Sequence, residues 1–568
     1  MNTRVNKIFK AVVEILFVIA IAVYAWSLTP KVFQNDTFYT IKIGELISNT
    51  TEHPTDLLPW HKGLDMKDHF SYHGNPYTYP HWLYDLLTYK VYSLGGFNAV
   101  YILTCALAVL LGLTLYVTNV KLNKSKSLSF LITIASLYGL KDFIAARAQL
   151  VTFILFILTI LFIELFIKNK RIRYVVPLII IPILIANLHC AVWPFYFVLF
   201  LPYIASYLCY SIATCDYCTN FKKFGLKIRK SKYSEKEYEE RLHVLNNKLE
   251  EHNKKVDEKC KGTYKIELSR QKNVKWLILI LVICAFTGLC TPIKDVPYTY
   301  LIKTSEGNTT QNISEHLPLI LAKNENMMIS LTAVFGILIF SRAKIRLSDF
   351  FMLVGLVFLS FFSQRQTSML IIIGNFILVR LLCGVLANIK KLMKMDKDIP
   401  QEWLFIKNFT MFAIIVGVST ITVFNIYQKS DDPFIDETDY PVQASEYINN
   451  TLIPEVGKQN LRLYNEYNYG SYLLYQNIPV FIDSRADLYT PEFNGKKGKD
   501  GKYVGKDVFS DFLDISNLST PYEEKFEEYE ITHVMTYRNS KLNTLLEKDS
   551  NYSLIYGDDY FKIYEREI

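Results

Sequence analysis

No cysteine lies beyond Cys383. All nine (Cys105, Cys190, Cys209, Cys215, Cys218, Cys260, Cys284, Cys290 and Cys383) fall before it. The polar C-terminal part therefore has no disulfide to hold it. The N-terminus also reads as a retained anchor rather than a cleaved leader. Met1 to Lys10 carries Arg4, Lys7 and Lys10, but the apolar run that follows reaches Leu28, ~20 residues, too long for a signal-peptide core and long enough for a retained anchor. No internal repeat is visible, which argues against an inverted-repeat transporter. A nucleic-acid signature is also absent: the net charge of +8 comes from Lys and Arg in short clusters between apolar runs, the pattern that writes membrane topology.

What is present is a mixture. Half the 568 residues are hydrophobic, yet the mean hydropathy is only +0.15, so strongly apolar and strongly polar stretches alternate. After the first run, further runs lie near 97–119, 127–141, 148–168, 173–189, 192–212, 274–291, 327–341, 347–362, 367–388 and 408–427. By composition these predict a mainly α, polytopic membrane protein with about eleven transmembrane helices. Placing the N-terminus in the cytoplasm puts the clusters Lys121/Lys124/Lys126, Lys168/Lys170/Arg171/Arg173, Arg342/Lys344/Arg346 and Lys390/Lys391/Lys394/Lys397 on the inner side, as the positive-inside rule requires. Glu14, Glu164 and Arg380 fall inside runs near their inner ends and read as snorkelling side chains.

Residues 1–430 then form a transmembrane domain with two polar interruptions. One is a first external loop, 29–96, that ends in an amphipathic helix. The other is a charged cytoplasmic insertion, 213–273, in which Tyr238, Leu242, Leu245, Leu249, His252 and Val256 recur at heptad spacing. The stretch 235–258 could pack on itself or pair with a partner protein. Cys215 and Cys218, with Cys209 and Cys260 nearby, read as isolated thiols rather than a zinc site. Residues 431–568 alternate short helical and strand patterns, including strands at Leu461–Tyr464, Pro479–Asp483 and Thr532–Tyr537 and a closing hairpin that turns at Gly557-Asp558-Asp559. They predict a small α/β domain on the extracytoplasmic side.

The polar residues at outer helix ends come from six connections: Asp36 and Asp68, then Lys141, Asp142 and Arg147, then Asn187 and His189. Asp295, Glu315 and His316 follow, and finally Gln364, Arg365 and Gln366. Ionisable groups at membrane depth are costly and usually line a cavity. A carboxylate there can act as general base on a hydroxyl, and arginines can neutralise a departing phosphate. Trp60, Tyr72, Tyr77, Tyr79 and Trp82 offer apolar faces with polar tips suited to sugar rings.

An anchor helix, an outer loop with an early Asp, an amphipathic helix after Pro80-His81-Trp82-Leu83, many apolar runs and an external α/β domain succeed one another. This order resembles the C-type (GT-C) membrane glycosyltransferases, relatives of protein mannosyltransferases, aminoarabinose transferases and oligosaccharyltransferases. The strings Gln34-Asn35-Asp36-Thr37, Asp68-His69-Phe70-Ser71, Arg147-Ala148-Gln149-Leu150 and Asn187-Leu188-His189 look like those of bacterial polytopic members, as do Thr291-Pro292, Glu315-His316-Leu317-Pro318, Tyr469-Gly470-Ser471-Tyr472-Leu473 and Phe481-Ile482-Asp483-Ser484-Arg485. Tyr467-Asn468-Tyr469-Gly470 resembles the oligosaccharyltransferase motif Trp-Trp-Asp-Tyr-Gly, but it lacks the Trp pair and has Asn468 for the Asp.

The resemblance implies inverting transfer of a sugar from a polyprenyl-phosphate carrier to a cell-envelope acceptor at the outer face of the plasma membrane, with Asp36 as the base. Asp68, His81, Arg147, His189, Glu315, Arg365, Tyr469, Asp483 and Arg485 are the substrate-binding candidates. Asp142 takes the place of a second-loop metal-binding carboxylate, without an Asp-x-Asp, so a divalent metal (Mg or Mn on Asp36 and Asp142) is optional. The alternatives are a transporter or flippase of lipid-linked saccharides, or a non-catalytic envelope assembly factor.

Overall fold

The computed structural model describes residues 3–50, 64–262, 265–268, 271, 273–321, 324–341, 343–392, 401–499 and 501–567. Trp60, Arg342, Lys394, Lys397 and the Cys260 side chain lie outside that description. The first half of the chain gives α1 (Thr3–Leu28), α2 (Asn35–Thr50), α3 (Trp82–Asn123), α4 (Lys126–Gly139), α5 (Ala148–Asn169) and α6 (Ile172–Leu188). After these come α7 (Trp193–Val198), α8 (Leu201–Thr214), α9 (Tyr217–Ile228), α10 (Glu235–Gly262), α11 (Val274–Cys284), α12 (Val296–Glu306) and α13 (Thr309–Asn312). The helical part closes with α14 (Glu325–Phe340), α15 (Leu347–Phe362), α16 (Thr367–Leu392) and α17 (Gln401–Gln428).

Among the described residues, six helices are long and apolar enough to cross a membrane: Asn6–Leu28, Trp82–Asn123, Ala148–Asn169, Cys190–Thr214, Gln364–Leu392 and Glu402–Gln428. The protein is thus mainly α and multi-pass, and the expectation of about eleven spans is corrected to these six. Five of the expected runs are shorter helices: α4, α6, α11, α14 and α15 have 14, 17, 11, 16 and 16 residues. At ~1.5 Å per residue the longest reaches ~26 Å, short of a hydrocarbon core of ~30 Å. Local turns inside apolar sequence do the shortening. A 3-10 turn at Thr287–Leu289, for instance, follows α11 while the composition is still apolar.

α3 bends where its sequence changes character. Gly96 has φ +61, a left-handed conformation that glycine adopts without a Cβ penalty. It separates an amphipathic first part from the spanning remainder.

Three apolar cores organise the molecule. One joins α1, α3, α4 and α17; a second joins α5, α6, α11, α15 and α16. The third does not respect the expected boundary at residue 430. Phe38, Ile43, Tyr77 and Trp82 of the first segment pack with Tyr440, Leu473, Phe481 and Ile563 of the C-terminal part, so α2 and the C-terminal domain share one interior. Its four-stranded sheet runs β3 (Leu463–Tyr464), β6 (His533–Tyr537), β8 (Phe561–Arg566), β7 (Tyr552–Gly557). β3 lies parallel to β6, and the other neighbours are antiparallel. Two short pairs, β1 (Ile266–Glu267) with β2 (Ile345–Arg346) and β4 (Lys496–Lys497) with β5 (Tyr503–Val504), lie outside that sheet.

The strand expected at Pro479–Asp483 is reduced to a single parallel bridge of Val480 with Ser71. Val480 N–H donates to the Phe70 carbonyl at 3.3 Å and Phe481 N–H to Asn465 Oδ1 at 2.8 Å, so this backbone is satisfied by the first segment and a side chain instead of a sheet neighbour.

That segment also runs against the helix Tyr467–Tyr475. A Cβ at Gly470 would overlap the Ile482 carbonyl oxygen. Gly470→Ala should therefore destabilise the C-terminal domain by about 1–3 kcal/mol, read as a lower denaturant midpoint, whereas Gly225→Ala, where an added Cβ meets nothing, should not.

The helices have two chemically distinct ends. At one, Glu164 of α5, Arg346, Asp349 of α15 and Arg380 of α16 form a closed four-residue network. Arg346 Nη1 lies 3.1 Å from Glu164 Oε2, and Arg380 Nη1 lies 2.6 Å from Asp349 Oδ1. Glu14 pairs with Lys126 at 2.7 Å. Glu164 and Arg380, expected to snorkel, are instead held in this network and pair with each other at 3.4 Å, whereas Glu14 stays partly exposed beside Lys126. The other end carries α2 and the C-terminal domain.

Candidate active site

α2 begins at Asn35, whose Nδ2 donates to the Tyr467 carbonyl at 3.0 Å, so the C-terminal domain fixes the start of the helix. Asp36 is thereby placed in the first turn, where the helix dipole favours a carboxylate. Arg147, the residue before α5, reaches across. Its Nε donates to Asp36 Oδ2 at 2.6 Å, Nη2 donates to the same oxygen, and Nη1 donates to Glu315 Oε1 at 3.4 Å. Glu315 arrives on a 3-10 turn, Ser314–His316, that docks on the Gln364–Gln366 turn: Ser363 Oγ donates to the Glu315 carbonyl and Gln364 N–H to the Leu317 carbonyl. Four separate connections meet here.

His81 precedes α3 and His189 follows α6, with ring centroids 5.0 Å apart. Cys190 N–H donates to the Pro80 carbonyl at 2.9 Å, which ties the two connections together, and Thr152 Oγ1 lies 2.8 Å from His189 Nδ1. Asp36, His81, Arg147, His189 and Arg365 line one small cavity of about 40 Å³ with Tyr39, Thr40, Tyr84 and Gln149. Arg147, Gln149 and Arg365 also line a second cavity of about 1070 Å³, at or above the size typical of ligand pockets. The rest of its wall is mostly apolar, drawn from α4, α14, α15 and α16 and including Phe335, Leu353, Val357 and Ile371. Arg147 and Arg365 stand where the polar chamber meets the apolar one. Arg365 makes no direct ion pair among the described residues.

Charge is finely set. Burial pushes the Asp36 carboxyl up, but Arg147, a hydrogen bond from Ser484 and the more distant Arg365 outweigh it and leave the pKa below the ordinary 3.8. Asp36 is therefore ionised at neutral pH, and Arg147 is held cationic by Asp36 and Glu315 against the cost of burial. Burial lowers His81 to about 4, with Asp36 opposing and the two arginines reinforcing the shift. His189 lies well below its ordinary value through burial, then His81 and the arginines. Both imidazoles are neutral hydrogen-bonding groups at pH 7.

A histidine with a depressed folded pKa favours folding fully above the unfolded value of ~6.5, and that contribution is lost as pH falls towards the folded value. Moving from pH 7.5 to 5 should lower the thermal midpoint of the purified protein. The double variant His81→Gln, His189→Gln should show a smaller drop.

The remaining candidates lie elsewhere. Asp68, Asp483 and Arg485 form a separate buried cluster. Arg485 Nη1 donates to Asp68 Oδ1 at 2.8 Å and its Nε and Nη2 to Asp483 at 2.9 and 2.7 Å, while Tyr489 donates to Asp483 and Ser71 to Asp68, both at 2.5 Å. The side chains are 0–3% exposed, and their placement makes them a strut between the first segment and the C-terminal domain. Tyr469 is fully buried in that domain's core and donates to the Met535 carbonyl at 2.7 Å.

Asp142 lines the large cavity and Asp36 the small one, and Arg147 already occupies the Asp36 carboxylate. Among the described residues no three His, Cys, Asp or Glu side chains group as metal ligands.

The sequence reading did not single out Tyr39, Thr40, Tyr84, Gln149 or Ser484. Tyr39 and Thr40 follow Asp36 at helical spacings of three and four, and Gln149 sits within the Arg-Ala-Gln-Leu string, so spacing alone would have pointed to them. Ser484 sits within the Phe-Ile-Asp-Ser-Arg string of a distant loop, but nothing in that string places it beside Asp36.

The fold and site define a multi-pass membrane protein with a carboxylate–arginine centre at the mouth of an apolar cavity. Compared with known proteins, the chain matches no family model and no curated sequence.

Proposed function

We propose that the protein is a GT-C-like glycosyltransferase that moves a sugar from a polyprenyl-phosphate carrier to a hydroxyl acceptor of the cell envelope. In this reading the α2 end and the C-terminal domain face the outside of the plasma membrane and the N-terminus is cytoplasmic. One observation carries the proposal: the cavity of about 1070 Å³ meets the chamber of Asp36 at two arginines. A long isoprenoid fits the apolar part, its phosphate fits the guanidinium groups, and the sugar then lies towards Asp36.

The chemistry follows from those places. The acceptor oxygen attacks the anomeric carbon on the side opposite the phosphate and the anomeric C–O bond to phosphate breaks, which inverts the configuration. The acceptor proton passes to Asp36, and the departing phosphate keeps the electron pair. Arg147 and Arg365 stabilise the charge that grows on it, an effect strongest where water is excluded. Arg147 has a second part. While it holds Asp36, the carboxylate is a weak base, and drawing the guanidinium onto the phosphate frees that carboxylate for the acceptor hydroxyl. Neutral His81 and His189 offer hydrogen bonds without adding charge.

The test is release of free polyprenyl phosphate from a synthetic polyprenyl-phosphate hexose by the purified protein in lipid nanodiscs, across a panel of hexoses. Turnover that falls sharply in Arg365→Ala supports the proposal. Failure of the wild-type protein to bind any polyprenyl phosphate would remove it.

A further inference from the structure

A second surface concerns α9, which the transfer reading does not use. The spanning segment Cys190–Thr214 ends two residues before Asp216, whose side chain caps α9 by accepting from Thr219 N–H. The helix must therefore start at the level where the chain leaves the bilayer. Its 12 residues divide cleanly around the axis at ~100° per residue. Thr219 and Leu226 are buried and face the protein, where α10 packs alongside. On the opposite side Tyr217, Phe221, Phe224 and Ile228 recur at spacings of four, three and four, which sets them in one stripe. They are 68%, 77%, 62% and 67% exposed.

Four large apolar side chains aligned on one exposed face are not ordinary surface, where apolar residues are scattered singly. The flanks add a sign. Lys222 borders the stripe on one side, and Lys223 and Lys227 on the other. From Tyr217 to Ser234 there are six Lys and Arg and no Asp or Glu. α10, on the far side of α9, carries the heptad seam: Tyr238, Leu242, Leu245, Leu249, His252 and Val256 are half-buried, and Asp257 accepts from Tyr210 of α8 at 2.7 Å. The seam is thus partly covered within the chain, and among the described residues of this insertion the α9 stripe is an uncovered apolar face.

We infer that α9 is an in-plane membrane helix that seats Tyr217, Phe221, Phe224 and Ile228 in the headgroup–acyl boundary and binds anionic phospholipid through Lys222, Lys223 and Lys227. The occupant follows from three observations together. A spanning segment ends next to the helix, the exposed face is aromatic and aliphatic, and its flanks carry lysines with no acid after the Asp216 cap as far as Ser234. This is the pattern of interfacial helices, whose binding adds buried apolar area to attraction for anionic lipid. α10 then lies on the solvent side as a brace that holds α9 at fixed height.

The test uses the full-length protein in phosphatidylcholine vesicles with and without phosphatidylglycerol, with a photo-crosslinking benzophenone side chain at position 224 or, in a separate protein, at 226. Position 224 should form lipid adducts, enriched in phosphatidylglycerol when it is present. Position 226 should form intrachain adducts to α10, which also reports that the insertion is folded. The triple variant Lys222→Glu, Lys223→Glu, Lys227→Glu should lower the phosphatidylglycerol share at 224 by about tenfold or more, since each basic residue near an anionic surface is worth about fivefold. Adducts from 224 to a second copy of the chain or to another protein segment, with no lipid adduct, would overturn the inference. So would lipid adducts indifferent to phosphatidylglycerol and to the lysine reversals.

Discussion

Asp36→Asn should leave insertion and folding intact and reduce sugar transfer about 10²- to 10⁴-fold, the range that a positioned general base contributes. The amide is nearly isosteric with the carboxylate, and Arg147 keeps Glu315 as a counter-charge at 3.4 Å, so the arginine is not left stranded. In the proposed reaction, what is lost is the group that takes the acceptor proton. Release of polyprenyl phosphate from a synthetic donor reads the rate, and the thermal midpoint reads the fold. Glu315→Gln is the companion: its carboxylate is half exposed and holds Arg147 at the longer distance, so the loss should be much smaller. An Asp36→Asn protein with a normal melt and full transfer would remove the catalytic assignment while leaving the fold description untouched.

Arg485→Ala should destabilise the C-terminal domain by about 3–5 kcal/mol, the cost of breaking a buried pair by taking away one partner. Two carboxylates, Asp68 and Asp483, would be left in an interior where the intact side chains are 0–3% exposed. Asp68 shows how much the arginine does. Burial alone would push its carboxyl up, yet Arg485 and the Ser71 hydrogen bonds hold it below the ordinary 3.8. That contribution is present at neutral pH and is lost only as pH falls below about 4. Because the cluster joins the first segment to the domain, partial proteolysis of Arg485→Ala should also expose the 64–80 region. The denaturant midpoint measures the effect, and Arg462→Ala, whose partner Glu530 is exposed, serves as the control with little change.

Much of the site could be read from the chain, for a definite reason. Asp36, Arg147, His189, Glu315 and Arg365 stand in or beside connections between apolar runs, and that position is what grouped them in the sequence. His81 joins them because it precedes α3. Asp68, Asp483 and Arg485 were drawn to the same site by their charge, but the sequence carries no sign of how deep a loop residue will be buried. The structure closes them into a strut whose side chains are 0–3% exposed. Glu164 and Arg380 went astray for the same reason. Seen one at a time they look like side chains reaching for water, and only the packing of α5, α15 and α16 makes them partners. The span count failed on α4, α6, α11, α14 and α15, where composition measures how apolar a stretch is and not where a turn will cut it. The core shared by α2 and the C-terminal domain joins positions about 400 residues apart, beyond what periodicity can show.

The central claim is that Arg147 and Arg365 hold the phosphate of a lipid whose chain fills the neighbouring cavity. Photolabelling with a polyprenyl phosphate that carries a diazirine in its isoprenoid tail, followed by peptide mapping, asks this of the intact protein. The account predicts label on α15 and α16, around Leu353, Val357 and Ile371, and its loss in the double variant Arg147→Ala, Arg365→Ala. Label confined to other helices, or labelling of this cavity that survives removal of both arginines, would contradict it.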